Sequence, residues 1–310
     1  MRRGEPSLPI TIAEEVATAV EGGQPVVALE TTLVTHGFPI DEGLDLALEL
    51  ENLVRSEGAT PATIGVLAGE LVVGMTGAQL RQLAATPDVT KLNPANLAAG
   101  IVSGRPGSTT VAATLLAAQR AGIRLMATGG IGGVHRRVSQ TGDISADLVT
   151  LSRCAVAVVC AGAKAVLDLP RTMEALETLG VPVYGHGTER LPAFYRRDSG
   201  IPLDQRFDSP ADLVTALRLH FALGSGTGVV VANPIPVEHE MPEDLYEEAL
   251  QNALRELDER QVHGRQVTPF LLARLRESTA GRSSFSNRAL LRNNVGLAAR
   301  LADRLGRVAA

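Results

Sequence analysis

Lysine is almost missing from this chain. Of 29 basic residues only Lys91 and Lys164 are lysine, and every other one is arginine. Arginine serves wherever a surface cation is wanted, but it keeps its proton and cannot attack a carbonyl carbon; a lysine desolvated by apolar neighbours can. Tryptophan is absent and aromatic residues make up 3% of the 310, so the core has to be built from Ala, Val, Leu and Ile. Cysteine is limited to Cys154 and Cys160, in CAVAVVC. On a strand these two share a face about 20 Å apart. That is too far for a disulfide, and the spacing is not that of a common zinc site. They read as buried small hydrophobes in a reducing cytoplasm. No apolar stretch approaches the roughly 20 residues of a membrane helix, and MRRGEPSLPI lacks the apolar run of a secretory signal. A net charge of -5 argues against a nucleic-acid surface. The expectation is a cytoplasmic protein with neither nucleic acid nor membrane as partner.

What is present is a 45% hydrophobic chain, long enough for a large core, in which short apolar runs alternate with helical patterns. QPVVALETT, GIRLMATGG, AVAVVCAGA, VPVYGHG and TGVVVANPIP read as strands ending in small or polar residues. ATIGVLAGELVVGM reads as a hairpin turning around Gly69-Glu70. DEGLDLALELENLVRSEG, TTVAATLLAAQRAG, LPRTMEALETLG, PADLVTALRLHFALG and PEDLYEEALQNALRELDERQV carry helical spacing. The alternation predicts an α/β fold: a central, largely parallel or mixed sheet flanked by helices on both faces. No linker or repeat divides the chain, which predicts a single domain over 1–310 with about 1–10 as a loose N-terminus.

Ligands of such sheets collect beyond the carboxyl ends of the strands. The polar groups there are Glu30-Thr31-Thr32, His36-Gly37, the run Thr128 to His135, Gly162-Ala163-Lys164, His186 and Asn233. Lys164 follows a buried-strand pattern and reads either as a Schiff-base nucleophile or as a lysine snorkelling from a strand end. Lys91 lies in a polar, proline-containing segment as a phosphate partner or a surface charge. Gly107, Ser108, Thr109 and Thr110 open a helix, where hydroxyls and free N–H groups hold an anion or merely cap. TGGIGGVH permits close backbone approach to a ligand but matches neither common nucleotide loop. Asp143 and Asp147, four apart, share a face if helical; they could hold a hard divalent cation, or cap and meet solvent. Glu30 leaves an apolar strand, as a general acid does, or a carboxylate paired with an arginine.

Taken in order, ALETTLVTHGFP, STTVAAT, ATGGIGGVHR, DISADL, CAGAKAVLDL, LETLGVPVYGHGTERLPAFY, ANPIP, TPFLLARL and NRALLRNN resemble one family, the pseudouridine-5'-phosphate glycosidases, formerly described as indigoidine-synthesis proteins. The resemblance runs from about residue 12 to the C-terminus. It implies reversible cleavage of the C–C bond between uracil C5 and C1' of ribose 5-phosphate. It places the nucleophile at Lys164 and the proton donor at Glu30. Lys91, Val111, Ser145, Ala146 and Asp147 correspond to substrate-binding positions, with His135 and Asn287 as further contacts. Asp143 corresponds to a ligand of Mn2+, and the assembly implied is a homotrimer. Two rival readings stand beside it: a Schiff-base aldolase or lyase on another phosphorylated sugar, and a phosphosugar-binding protein without catalysis.

Overall fold

The computed structural model describes residues 7–262 and 264–306. Its strands are β1 (Ile10–Ile12), β2 (Val26–Glu30), β3 (Thr60–Leu67), β4 (Glu70–Val73), β5 (Thr90–Leu92), β6 (Gly107–Thr109), β7 (Leu125–Ala127), β8 (Ala157–Cys160), β9 (Val183–His186), β10 (Gln205–Phe207) and β11 (Val229–Ala232). They form one sheet in the order β1-β4-β3-β2-β7-β8-β11-β9-β10, with β6 branching from β3 and β5 pairing β6. All pairs are parallel except β3 with β4 and β3 with β6. The fold is therefore the mixed, mostly parallel α/β sheet read from the sequence, with helices on both faces. Of the described helices, none is long and apolar enough to cross a membrane.

The central strands are continuous apolar runs because both of their faces are covered. AVVC of β8 and VVVA of β11 are buried throughout, as expected for parallel strands between helix layers. Their small side chains let helices approach closely, and the 25-residue helix Arg282–Gly306 packs across β2, β7 and β8. Cys154 and Cys160 are buried and unpaired.

Several local expectations shift. The hairpin turns on Ala68 and Gly69, both at positive φ (49° and 80°), the backbone that matches a hairpin's twist. Residues 1–6 of the expected loose N-terminus lie outside the described residues. Ile10 pairs with Leu71, and the carbonyl of Pro9 accepts from the Leu71 N–H at 2.9 Å. Gly107–Thr109 is strand β6 rather than a helix start; Thr110 alone caps the helix Val111–Arg120. The hydroxyl of Thr109 is spent on the Ile64 carbonyl (2.6 Å), and its N–H donates to Thr31 Oγ1 (2.9 Å), so neither is offered to an anion. Asp143 and Asp147 do not share a helical face, because the helix begins at Ala146 with Ser145 as its cap.

Candidate active site

One cavity of about 270 Å³ opens over the carboxyl ends of β2, β7 and β8. Every residue implied above as catalytic, substrate-binding or metal-holding lines it: Glu30, Lys91, Val111, His135, Asp143, Ser145, Ala146, Asp147, Lys164 and Asn287. His186 and Asn233, which also follow strands, are not among its lining residues. His186 ends β9, well away from the central strands.

Glu30 is the last residue of β2 and is held on both oxygens. Thr128 Oγ1 donates to Oε1 at 2.5 Å, and Thr32 Oγ1 donates to Oε2. Thr128 is fixed in turn, since Asn294 Nδ2 donates to its carbonyl at 2.8 Å and Asn233 Nδ2 donates to Asn294 Oδ1 at 3.0 Å. Asn233 thus supports the carboxylate from outside the cavity, and Asn294 was not singled out from the sequence. The repeated Asn in RNN is a weak signal for it.

Lys164 is placed by two loops zipped together. Its N–H donates to the Ile131 carbonyl (2.9 Å), and the Ile131 N–H donates to Gly162 (3.1 Å). Gly162 has φ +79°, and a Cβ there would sit 2.2 Å from the Pro192 carbonyl oxygen. Only glycine fits there, which lets the segment carrying Pro192 pack directly on the loop before Lys164. Phe194, also at positive φ (62°), lines the same chamber, as does Asn287, whose Oδ1 is buried without a hydrogen-bond partner.

The floor near Val111 is tied down by Asp147. Its Oδ1 accepts from the Ala112 N–H at 2.9 Å and its Oδ2 from the Gly132 N–H at 2.7 Å. Both carboxylate oxygens are therefore engaged by the protein itself. Asp143 differs: its Oδ2 lies 3.8 Å from His135 Nδ1, and its carboxylate remains open to the cavity. Among the described residues no group of three or more His, Cys, Asp or Glu converges. A cation here would be held by Asp143 and otherwise by oxygens of water or ligand, a donor set that suits a hard divalent ion.

Both lysines of the chain line the cavity, beside the carboxylates of Glu30, Asp143 and Asp147. Burial holds the His135 imidazole below its usual range against the opposing pull of Asp143, and the charges of Lys91 and Lys164 push the same way as burial. His36 is likewise lowered, first by burial and then by Lys91. The chamber thus gathers two lysines and three carboxylates at the carboxyl ends of an α/β sheet, where ligands of such sheets bind. The chain belongs to the indigoidine synthase A like family, whose model matches residues 15–304. It is 47% identical to pseudouridine-5'-phosphate glycosidase 2 of Rhizobium johnstonii, over 94% of both chains. It is 49% identical to pseudouridine-5'-phosphate glycosidase of Methylobacterium nodulans, over 94% of this chain and 87% of that one. Among solved structures, the prealnumycin C-glycosynthase AlnA in complex with ribulose 5-phosphate superposes with a TM-score of 0.89 at 36% identity, over 97% of this chain and 98% of that one. An indigoidine synthase A-like protein from Thermotoga maritima gives 0.89 at 33% identity, over 99% and 100%.

Proposed function

We propose that this protein reversibly cleaves the C–C glycosidic bond of pseudouridine 5'-phosphate, giving uracil and ribose 5-phosphate through a covalent adduct on Lys164. The observation that carries the reading is that Glu30 and Lys164 open into one cavity, in a chain matched almost end to end by relatives of that name. The scissile bond has no good leaving group, so its electrons need a sink. The Lys164 amine attacks C1' as the ring oxygen leaves and takes a proton to become the C4 hydroxyl. Once uracil C5 is protonated, the C1'–C5 bond breaks with its electron pair going to the uracil ring, while the lysine nitrogen lone pair forms the iminium at C1'. Glu30, aimed by Thr32 and Thr128, supplies the proton that uracil C5 takes up. Water then returns the lysine and releases ribose 5-phosphate. The phosphate sits against Lys91, with Ser145 and Ala146 closing the far wall.

Asp143 would hold Mn2+, which when bound adds positive charge beside the anionic substrate. Binding of Mn2+ followed by its paramagnetic resonance, lost in Asp143→Asn, tests this apart from turnover. The assembly proposed is a homotrimer in the cytoplasm, measured by sedimentation. The central experiment incubates the protein with ribose 5-phosphate and borohydride and maps the adduct by mass. An adduct confined to Lys164 and absent in Lys164→Arg supports the mechanism. Uracil release from pseudouridine 5'-phosphate separates it from an aldolase. Binding of the phosphosugar with no adduct and no uracil leaves a binding protein and overturns the reading.

A further inference from the structure

The stretch ETTLVTHG runs from the end of β2 into a π-helical turn, Leu33–Gly37. Such turns are rare and often mark functional positions. His36 emerges from it into the cavity, yet the reaction above gives this ring no task. Its neighbours fix what the ring offers. Thr35 Oγ1 lies 2.6 Å from His36 Nδ1 and donates to Ser108 Oγ at 2.9 Å. A threonine hydroxyl has one proton, and that proton is already committed to Ser108. The contact between Thr35 and Nδ1 must therefore use the ring's proton, so Nδ1–H donates to Thr35 and Nε2 carries a bare lone pair. Among the described residues no hydrogen bond engages Nε2; the other recorded contact, Ser108 Oγ at 3.4 Å, is again to Nδ1. Burial and the charge of Lys91 keep the ring neutral, so the lone pair survives.

The position along the ligand follows from the sheet. Ser108 of β6 is the partner of Lys91 in β5, so His36 stands on the flank of the lysine that the reading above assigns to phosphate. Counting from the phosphate on C5, the oxygen on C4 is the ring oxygen of the intact substrate and has no proton to give. The first hydroxyl able to donate in both the closed ring and the open chain is the one on C3. We propose that His36 is a specificity-determining residue whose Nε2 accepts a hydrogen bond from the C3 hydroxyl of the ribose 5-phosphate moiety. This rests on the phosphosugar reading. It makes the site a reader of sugar stereochemistry and hydroxylation next to the phosphate, not of charge alone. The role is one a phosphate cannot take, because a neutral Nε2 acceptor faces an anion unfavourably.

The test is calorimetric binding of ribose 5-phosphate and 3-deoxyribose 5-phosphate to the full chain and to its His36→Ala, His36→Gln and Thr35→Val variants. Removing a neutral hydrogen bond costs about tenfold in affinity. The wild type should therefore prefer ribose 5-phosphate about tenfold, and His36→Ala should lose that preference. His36→Gln, which restores an acceptor, should recover part of it. Thr35→Val leaves the imidazole in place but no longer fixes its tautomer, and should weaken the preference without erasing it, because an Nε2–H can still donate to the hydroxyl oxygen. A purely structural role would lower affinity for both sugars equally, and that outcome overturns the proposal. So does a wild type that binds both sugars equally well. A wild type that binds neither sugar phosphate overturns the phosphosugar reading, and the proposal falls with it.

Discussion

Asp147 offers a quantitative contest between two roles. The resemblance implies a substrate contact, whereas the structure commits both of its carboxylate oxygens to backbone N–H groups from separate segments: Ala112 in the helix Val111–Arg120, and Gly132 in the glycine-rich loop. The residue is 5% exposed, so neither N–H can turn to water if the carboxylate is lost. Asp147→Asn keeps the volume and one acceptor, but sets an amide N–H₂ against one backbone N–H. A hydrogen bond to a charged acceptor contributes about 1.5–3 kcal/mol. Losing one and weakening the other should cost about 2–4 kcal/mol, and Asp147→Ala about 3–6 kcal/mol. Set against a total stability of about 5–15 kcal/mol, these are large. At roughly 2 °C per kcal/mol for a chain of this size, Asp147→Asn should lower Tm by about 4–8 °C. Urea denaturation with an unchanged slope would assign the loss to the native state. Calorimetry with ribose 5-phosphate on the folded fraction would read the site. A variant with the wild-type midpoint that no longer binds the sugar phosphate would refute the reasoning and make Asp147 a direct ligand.

Thr128→Val keeps the shape of the residue and the carbonyl held by Asn294, and removes only the hydroxyl bond to Glu30. It should lower kcat about 10- to 100-fold with little change in Tm; a fall in Tm with unaltered kcat would count against the assignment. Glu51, buried in the helix Ile40–Ser56 and accepting from Thr63 Oγ1 at 2.5 Å, has its carboxyl raised chiefly by burial. The native state therefore holds a proton that the unfolded chain has released, and stability falls as pH rises from the ordinary glutamate value through the raised one. Glu51→Gln should remove that fall, so urea midpoints of the two proteins should converge at pH 4 and separate in favour of the variant at pH 8. Burial pushes the Cys160 thiol up to about 12, leaving roughly one molecule in ten thousand as thiolate at pH 8. A thiol-alkylating reagent should leave Cys160 unlabelled in the native protein and label both cysteines in urea; native labelling at a free-thiol rate would contradict the burial.

The parts of this molecule legible in the sequence are those governed by neighbours along the chain. VVALE, AVVC and VVVA announce buried parallel strands because their composition alone excludes a solvent face. The scarcity of lysine singles out Lys91 and Lys164, and arginine could not perform the chemistry proposed for Lys164. Short elements were not legible: β5 and β6 are three residues each, too brief for any period to show. Gly107–Thr109 reads as a helix start because Gly, Ser and Thr are capping residues; pairing with β3 and β5, far away in sequence, overrides that local preference. The same physics misplaced Asp143, whose spacing from Asp147 implies a shared face only if the helix extends back to it, and Ser145 begins the helix too late for that.

What the site adds to the fold lies almost wholly in contacts across long stretches of chain. Thr31 meets Thr109 78 residues on, Glu30 meets Thr128 98 residues on, and Asn294 reaches back 166 residues to the Thr128 carbonyl. The first two join residues at or just past the ends of different strands, and the third joins the helix Arg282–Gly306 to such an end. The groups proposed as catalytic therefore do not owe their aim to their own strands alone. Glu30 is aimed by the loop after β7, that loop by the helix Arg282–Gly306, and the helix by Asn233 after β11. A parallel sheet makes this possible because it delivers all of its carboxyl ends to one edge. The consequence is that the C-terminal asparagine in RNN supports the proposed site as much as any residue in the cavity, although it is not among the lining residues. Its identity could be read only after the chain had folded.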